Sequence, residues 1–434
     1  GGVGGAGVEP GAGTDERELQ HTAERAAWVR ERFALEGQLM ETQGALDSLK
    51  LEHADVLEQL ESWKAVAKQP LSLAAFKDIP RLRKSFRTFA FFHNPHEFEL
   101  FFNILKAWCP PRKMQYWRGI ASAANAPVRN VTDTRGRKPT LEPIDQFLFT
   151  MVQLRSIPYH GACCSLFDIA DGVGTTYFTT WVLLLEDLLL GICPVNKDLE
   201  KRLRANVPDK YKALFKDRPV LLTVDCMHWE TQSPSDEYAR KALFSHYWDS
   251  TAGKALIPLS CLGGVIPPSK VYPGKITDPA ITQAWLKELL GEEATGTFSV
   301  DELISLGALL AGTWVLADKG WVDYVRATQQ RGIFFVTPDK KRDKAEQFTR
   351  SDSLWNQDVA HLRIHVERLI KHIREFRVLN TRCPGNRTDL MSSIVRVCAL
   401  LQNFRAPVGG SDFRLLSAEG DKVCAWELMW GDAR

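Results

Sequence analysis

The 434-residue chain lacks any apolar run near the roughly 18 residues a membrane span needs. Its longest, Trp181-Val182-Leu183-Leu184-Leu185, is ended by Glu186 and Asp187, so no membrane partner is expected. There is no CxxC, and the nine cysteines are scattered and odd in number. This excludes a disulfide framework and points to reduced thiols in cytosol or nucleus. Gly172-Val173-Gly174 lacks the third glycine and the preceding strand of a dinucleotide fingerprint, and no GxxxxGK[ST] phosphate loop occurs. The opening GGVGGAGVEPGAG has neither the basic end nor the apolar core of a signal peptide; residues 1–13 are expected to form a flexible tail. Excess charge of one sign is also missing, with a net of +2. That excludes a uniformly basic protein that coats nucleic acid. What is present is an ordinary globular composition, 44% hydrophobic and 25% charged, enough to bury a sizeable core in two or three units.

The small net charge is a cancellation. From Thr14 to Trp63 there are 12 acidic against 5 basic residues, a net of −7; from Leu71 to Thr140, 13 basic against 4 acidic, a net of +9; from His361 to Arg387, 7 basic against 2 acidic, a net of +5.

The acidic head (14–68) has no proline and follows a heptad. One seam row holds Trp28, Leu35, Thr42, Leu49, Val56 and Trp63; the other holds Arg32, Leu39, Leu46, His53 and Leu60. This pattern predicts a coiled coil, with a parallel homodimer as its partner arrangement and His53 as the polar register position. A single amphipathic helix folded onto the body is the alternative. Residues 69–140 read as a basic linker punctuated by prolines. Within it, Arg135-Gly136-Arg137-Lys138 is either a phosphate- or groove-contacting segment or a solvated linker or nuclear-import signal. Residues 141–192 predict three helices, Glu142–Leu154, Ala162–Ala170 and Thr175–Leu190, broken at Asp171-Gly172-Val173-Gly174 with helix-turn-helix-like spacing. The third carries Thr175, Thr176, Thr179 and Thr180 but no basic residue, so base readout and a plain packing bundle both stay open. Cys163-Cys164 is most simply core packing.

From Pro219 onward strands alternate with helices. Strands are expected at Pro219–Val224, Ala255–Gly263, Val265–Tyr272, Thr313–Ala317 and Gly332–Thr337. Helices are expected at Pro279–Leu290, capped by Asp278, and at Val322–Gln330, Val359–Leu379 and Arg387–Phe404, before a weakly patterned tail (406–434). This predicts a mixed five-stranded α/β sheet with helices over 215–405.

Asp225 follows the first strand and Asp318 the fourth, where α/β folds gather ligand chemistry. Carboxylates on adjacent strand ends repel unless a cation neutralises them, and Mg²⁺ suits hard oxygen ligands. Either Asp alone reads equally as a turn residue. Glu367 shares a helix stripe with Arg363, Lys371 and Arg374 and reads either as a salt-bridged surface or as a third ligand. His361 and His365 form an i, i+4 pair but lack the HExxH arrangement.

Several blocks carry a resemblance: Val224-Asp225-Cys226 with Pro234-Ser235; Val271-Tyr272-Pro273-Gly274-Lys275-Ile276-Thr277-Asp278; Ala317-Asp318-Lys319-Gly320-Trp321; Leu362-Arg363-Ile364-His365-Val366-Glu367-Arg368 with Ile373, Phe376 and Arg377; and Val397-Cys398-Ala399-Leu400-Leu401-Gln402-Asn403-Phe404. Together with Trp181 in the helical module, they resemble the DDE transposases of the Harbinger and IS5-like group, the DDE superfamily endonucleases, over about 141–404. The resemblance implies an RNase H-like core and a two-metal DNA-cutting site. Asp225 would bridge two divalent ions, Mg²⁺ or alternatively Mn²⁺, with Asp318 and Glu367 each binding one. It implies double-stranded DNA at transposon terminal repeats as substrate, a separate DNA-binding protein as a further partner, and a nuclear location. Arg363, Arg368, Lys371 and Arg374 are the expected phosphate contacts beside Arg135, Arg137 and Lys138. A domesticated relative that binds without cutting is the alternative.

Overall fold

The computed structural model describes residues 70–110, 114–117, 119, 139–216, 218–246, 248–290, 310–324, 332–339, 348–405 and 424–431, with single positions between 28 and 50. The chain divides into two units, 1–69 and 70–434. The expected glycine-rich tail, the second half of the heptad region, and Arg135, Arg137 and Lys138 lie outside the described residues.

In the first unit every described position from 28 to 50 is helical. The seam residues Trp28, Leu35, Leu39 and Leu46 are all exposed.

The second unit opens with three helices: α1 (Leu73–Asp78), α2 (Pro80–Ala90) and α3 (Pro95–Trp108). This corrects the first half of the expected linker. Two prolines read as punctuation, Pro80 and Pro95, instead start helices at the first position, where their missing N–H costs nothing. Ser72 and Asn94 cap α1 and α3 through the backbone N–H groups of Ala75 and Glu97. On α2, Leu82, Phe86 and Phe89 are buried, while Arg81, Arg83, Lys84 and Arg87 face solvent.

The helical module follows as α4 (Pro143–Arg155), α5 (His160–Leu166) and α6 (Asp171–Ile192). The expected break at 171–174 is instead the first turn of α6. Gly174 explains the glycine there: a Cβ would come within 2.3 Å of the Cys164 sulfur, so only glycine lets α6 start this close to α5. Thr179 and Thr180 are buried, and Thr180 accepts from the backbone of Trp117. Thr175 and Thr176 bond back to the carbonyls of Asp171 and Gly172. Thr179 and Thr180 thus pack within the fold, while Thr175 and Thr176 stay partly exposed. By length and composition α6 could cross a membrane, but half of that stretch is buried here, packed against α4 and a later helix.

Two short helices, α7 (Lys197–Ala205) and α8 (Asp209–Phe215), lead into the sheet. Strand β1 (Val220–Glu230) lies at its centre. On one side β1 pairs antiparallel with β3 (Ser250–Ser260), whose outer edge carries β2 (Phe244–Ser245) and β4 (Tyr272–Pro273). On the other side it pairs in parallel with β5 (Thr313–Leu316), which pairs with β6 (Ile333–Val336). The sheet is mixed, as expected, but six-stranded. The expected strand Val265–Tyr272 shrinks to a bridge at Val265 and the short β4, because Pro267 and Pro268 cannot donate to a ladder. Helix α9 (Glu237–Leu243) links β1 to β2, and α10 (Asp278–Leu290) follows β4.

Helix α11 (Arg350–Ile373) packs on β1 and β3 through Val359, Leu362, Val366, Leu369 and Ile373. It starts earlier than its apolar pattern, because Thr349 and Asp352 form a capping box. Helix α12 (Met391–Leu400) is buried against α6. The tail expected to be weakly patterned holds α13 (Ala425–Trp430), tied down by Trp426 and Trp430 donating to the carbonyls of Ile192 and Pro194.

Arg396 joins the helical module to the sheet. Its guanidinium pairs with Glu186 of α6 at 3.1 Å and Glu288 of α10 at 3.1 Å, and donates to the Pro268 carbonyl. Replacing it by methionine leaves Glu186 nearly buried without its cation. Arg396→Met is expected to cost about 2–3 kcal/mol, read as a lower urea midpoint at pH 7; an unchanged midpoint would show that the junction holds without the ion pair.

Candidate active site

Asp225 does not end β1, as its motif suggested; the strand runs on to Glu230 because β3 stays in register with it to Ala252. The parallel ladder, however, stops at Thr223 opposite Leu316. Asp225 therefore sits just past the end of the parallel half of the sheet, still held by the antiparallel half. Asp318 follows β5 by two residues. The turn carrying it is anchored by Trp321, which is buried, donates its backbone N–H to the Asp318 carbonyl and its indole N–H to Thr282 Oγ1.

Glu367 comes from α11. The apolar side of that helix is fixed on the sheet, which turns Arg363 and Glu367, one turn apart, toward the strand ends. Arg363 links the acids: its guanidinium lies 3.2 Å from Asp318 and 3.8 Å from Glu367, with its side chain 13% exposed. Asp225 accepts from the Cys226 N–H, feels the Arg363 charge, and is crowded by the carboxylates of Asp278 and Asp318. Burial first, then those like charges, push its carboxyl up to about 6.

The structure adds two groups that motif reading did not place in the site. Asp278, expected only as a cap, is a fourth acid, and Lys254 of β3 bonds to it at 3.1 Å and to the Ile276 carbonyl at 3.0 Å. Sequence gave one signal, the Thr277-Asp278 pair closing a resembling block, but the Lys254 partner is 24 residues away and has no local signature. Cys226 is half-buried beside Asp225 and Asp278, and desolvation of its thiol, with those two carboxylates, holds it well above its ordinary range.

Four carboxylates thus face two cations, Lys254 and Arg363. Burial is the main cause of the raised Asp225 carboxyl, with Asp278 and Asp318 adding to it against the pull of Arg363. Carboxylate oxygens are the donors a hard divalent ion takes, but among the described residues no three of these acids bring their ligand atoms within 4.8 Å of one another.

The expected phosphate contacts divide. Arg363 is turned into the acids. Arg374 is half-buried, 3.2 Å from both His228 Nδ1 and the His228 carbonyl. His228 in turn stacks on Trp248 at 3.8 Å, and burial together with Arg374 keeps it neutral, its pKa lowered to about 4. Arg368 and Lys371 are exposed beside Glu367.

Residues 224–403 match the family model described as DDE superfamily endonuclease. The match spans all three expected acids. Among solved structures, the chain is similar to the Mos1 transposase paired-end complex with left transposon end, at 10% identity and a TM-score of 0.18, over 60% of this chain and 86% of that one. No curated protein matches the chain.

Proposed function

We propose that this chain is a DDE-type DNA endonuclease with an RNase H-like core, acting as a transposase that cuts and rejoins DNA at transposon ends. The observation that carries the reading is the gathering of Asp225, Asp318 and, through Arg363, Glu367 at one end of the sheet, inside the family-matched residues. Asp225, Asp318 and Glu367 are the residues that would hold two divalent ions, Mg²⁺ or Mn²⁺, which when bound supply a Lewis acid for the phosphodiester and lower the pKa of a water. The chain's own groups do the rest. Arg363 keeps Asp318 and Glu367 facing one another. Lys254 holds Asp278 against the buried floor of the site. Arg368 and Lys371 present charge to a DNA backbone. The exposed seam at Trp28, Leu35, Leu39 and Leu46 suits a homodimeric coiled coil, and the expected nuclear location belongs to the same reading.

A second reading, a domesticated DNA- or protein-binding relative, draws on α6, which carries no basic residue and whose Thr179 and Thr180 are buried. A gel assay with purified protein, Mg²⁺ or Mn²⁺ and candidate terminal repeats separates the two. Cutting at repeat ends supports the transposase; binding without cutting supports the domesticated form.

Phosphate contact by α11 makes a graded expectation. Arg368→Gln should weaken binding across all DNA sequences alike and lower the salt slope by about one unit. Fluorescence anisotropy at several salt concentrations reads it; a loss confined to one sequence would assign Arg368 to base readout instead.

A further inference from the structure

Away from the acid cluster, the helical module carries another set of metal-ligating side chains. His160 and Cys164 stand one turn apart on α5, and Asp171 is the first residue of α6. Their ligand atoms all lie within 4.8 Å of one another. Cys164 Sγ is 3.6 Å from His160 Nε2. A tetrahedral zinc ion with Zn–N of about 2.0–2.1 Å and Zn–S of about 2.3 Å sets that nitrogen–sulfur edge at about 3.5 Å.

Hydrogen bonding decides which ring nitrogen is available. Arg387 is 9% exposed, and both its terminal nitrogens reach the Gln153 side chain, at 2.8 and 3.1 Å. A guanidinium only donates, so the amide must present its oxygen to Arg387. The same oxygen is 3.1 Å from His160 Nδ1, which therefore carries the proton and donates. The other ring nitrogen, Nε2, is the one that faces Cys164 Sγ. Nε2 lies 2.9 Å from the Asp171 carbonyl oxygen and 3.0 Å from Thr175 Oγ1. A ligating histidine whose other nitrogen donates to a fixed oxygen is the usual supporting arrangement at protein metal sites; here Gln153, held by buried Arg387, supplies that oxygen. Gly174 completes the cradle: a Cβ there would meet Cys164 Sγ at 2.3 Å and His160 Cε1 at 3.1 Å.

We propose that His160 Nε2, Cys164 Sγ and the Asp171 carboxylate bind one zinc ion, with water as fourth ligand, stapling α5 to the start of α6. Binding releases the Cys164 thiol proton to solvent, because zinc takes the thiolate as its ligand.

Cobalt replaces zinc as a visible probe. The metal-stripped full chain titrated with Co²⁺ should bind one ion that gives a thiolate-to-cobalt charge-transfer absorption, and Zn²⁺ should abolish that absorption by displacement. The absorption should vanish in Cys164→Ser and His160→Gln and persist in Cys226→Ser, whose thiol lies in the acid cluster. Asp171 is exposed, so Asp171→Asn tests the site with least risk to folding; it should weaken Co²⁺ binding about tenfold or more. Absence of the absorption in the wild-type chain overturns the proposal, as does its survival at wild-type Co²⁺ affinity in folded Asp171→Asn or its loss in Cys226→Ser.

Discussion

Asp225→Asn is expected to lose cutting and gain stability. Metal chemistry at the reacting phosphate is worth several kcal/mol, so removing the central carboxylate should lower Mg²⁺-dependent cutting about a thousandfold or more. The stability effect runs the other way. The folded carboxyl is raised from 3.8 to about 6, so the protonated form is favoured by folding. That favour is fully present below about pH 4 and is lost as pH rises through about 6, an effect of about 3 kcal/mol for a shift of roughly two units. Asparagine keeps the shape without the buried charge. Metal-free Asp225→Asn should therefore be more stable than wild type by up to about 3 kcal/mol at pH 8, with the gap narrowing at pH 5. Urea unfolding at both pH values reads this directly. A variant less stable than wild type at pH 8 would mean that Asp225 is held by partners rather than strained by its neighbours.

Phe147→Ala should be the most damaging core substitution in the helical module. Phe147 is fully buried, stacks on Phe98 at 4.7 Å, and lies within 6.3 Å, ring centre to ring centre, of Phe92, Phe101, Phe102 and Trp181. Those rings come from α3, α4, α6 and the turn after α2, so the deletion leaves a cavity where four segments meet. The expected loss is about 3–5 kcal/mol in urea unfolding. A loss under about 1 kcal/mol would show that the rings collapse inward and that the cluster is not the module's centre. Asp225 is in another element, so any DNA cutting by the surviving folded fraction should keep its Mg²⁺ dependence.

These residues also show what the sequence could and could not disclose. The strand alternation is legible because short β-branched runs are local patterns, although β1 runs on past Asp225 to Glu230. The contact between Arg363 and Glu367 followed from helical spacing. The reach of Arg363 to Asp318 did not, since it depends on how α11 crosses the sheet. Lys254 and Asp278 were missed for the same reason: each looks ordinary alone, and only the pairing of β3 with β1 brings them to Asp225. Pro80 and Pro95 misled, because proline starts a helix as readily as it interrupts one, and the choice depends on the apolar stripe that follows. Gly174 misled in the opposite sense, as a glycine kept for close helix approach inside a helix, while Gly172 sits in the first turn with open space around it. The pairing of His160 with Asp171 was hidden by that same misplaced break.

The central claim is that Asp225, Asp318 and Glu367 act together as one metal-dependent DNA-cutting site. The most direct test is a single-turnover cleavage assay in Mg²⁺ on terminal-repeat DNA, comparing wild type with Asp225→Asn, Asp318→Asn and Glu367→Gln, while anisotropy tracks DNA binding by each. The account predicts cutting by wild type alone, with binding kept in all four proteins. Cutting at the wild-type rate by any one of the three variants would contradict it.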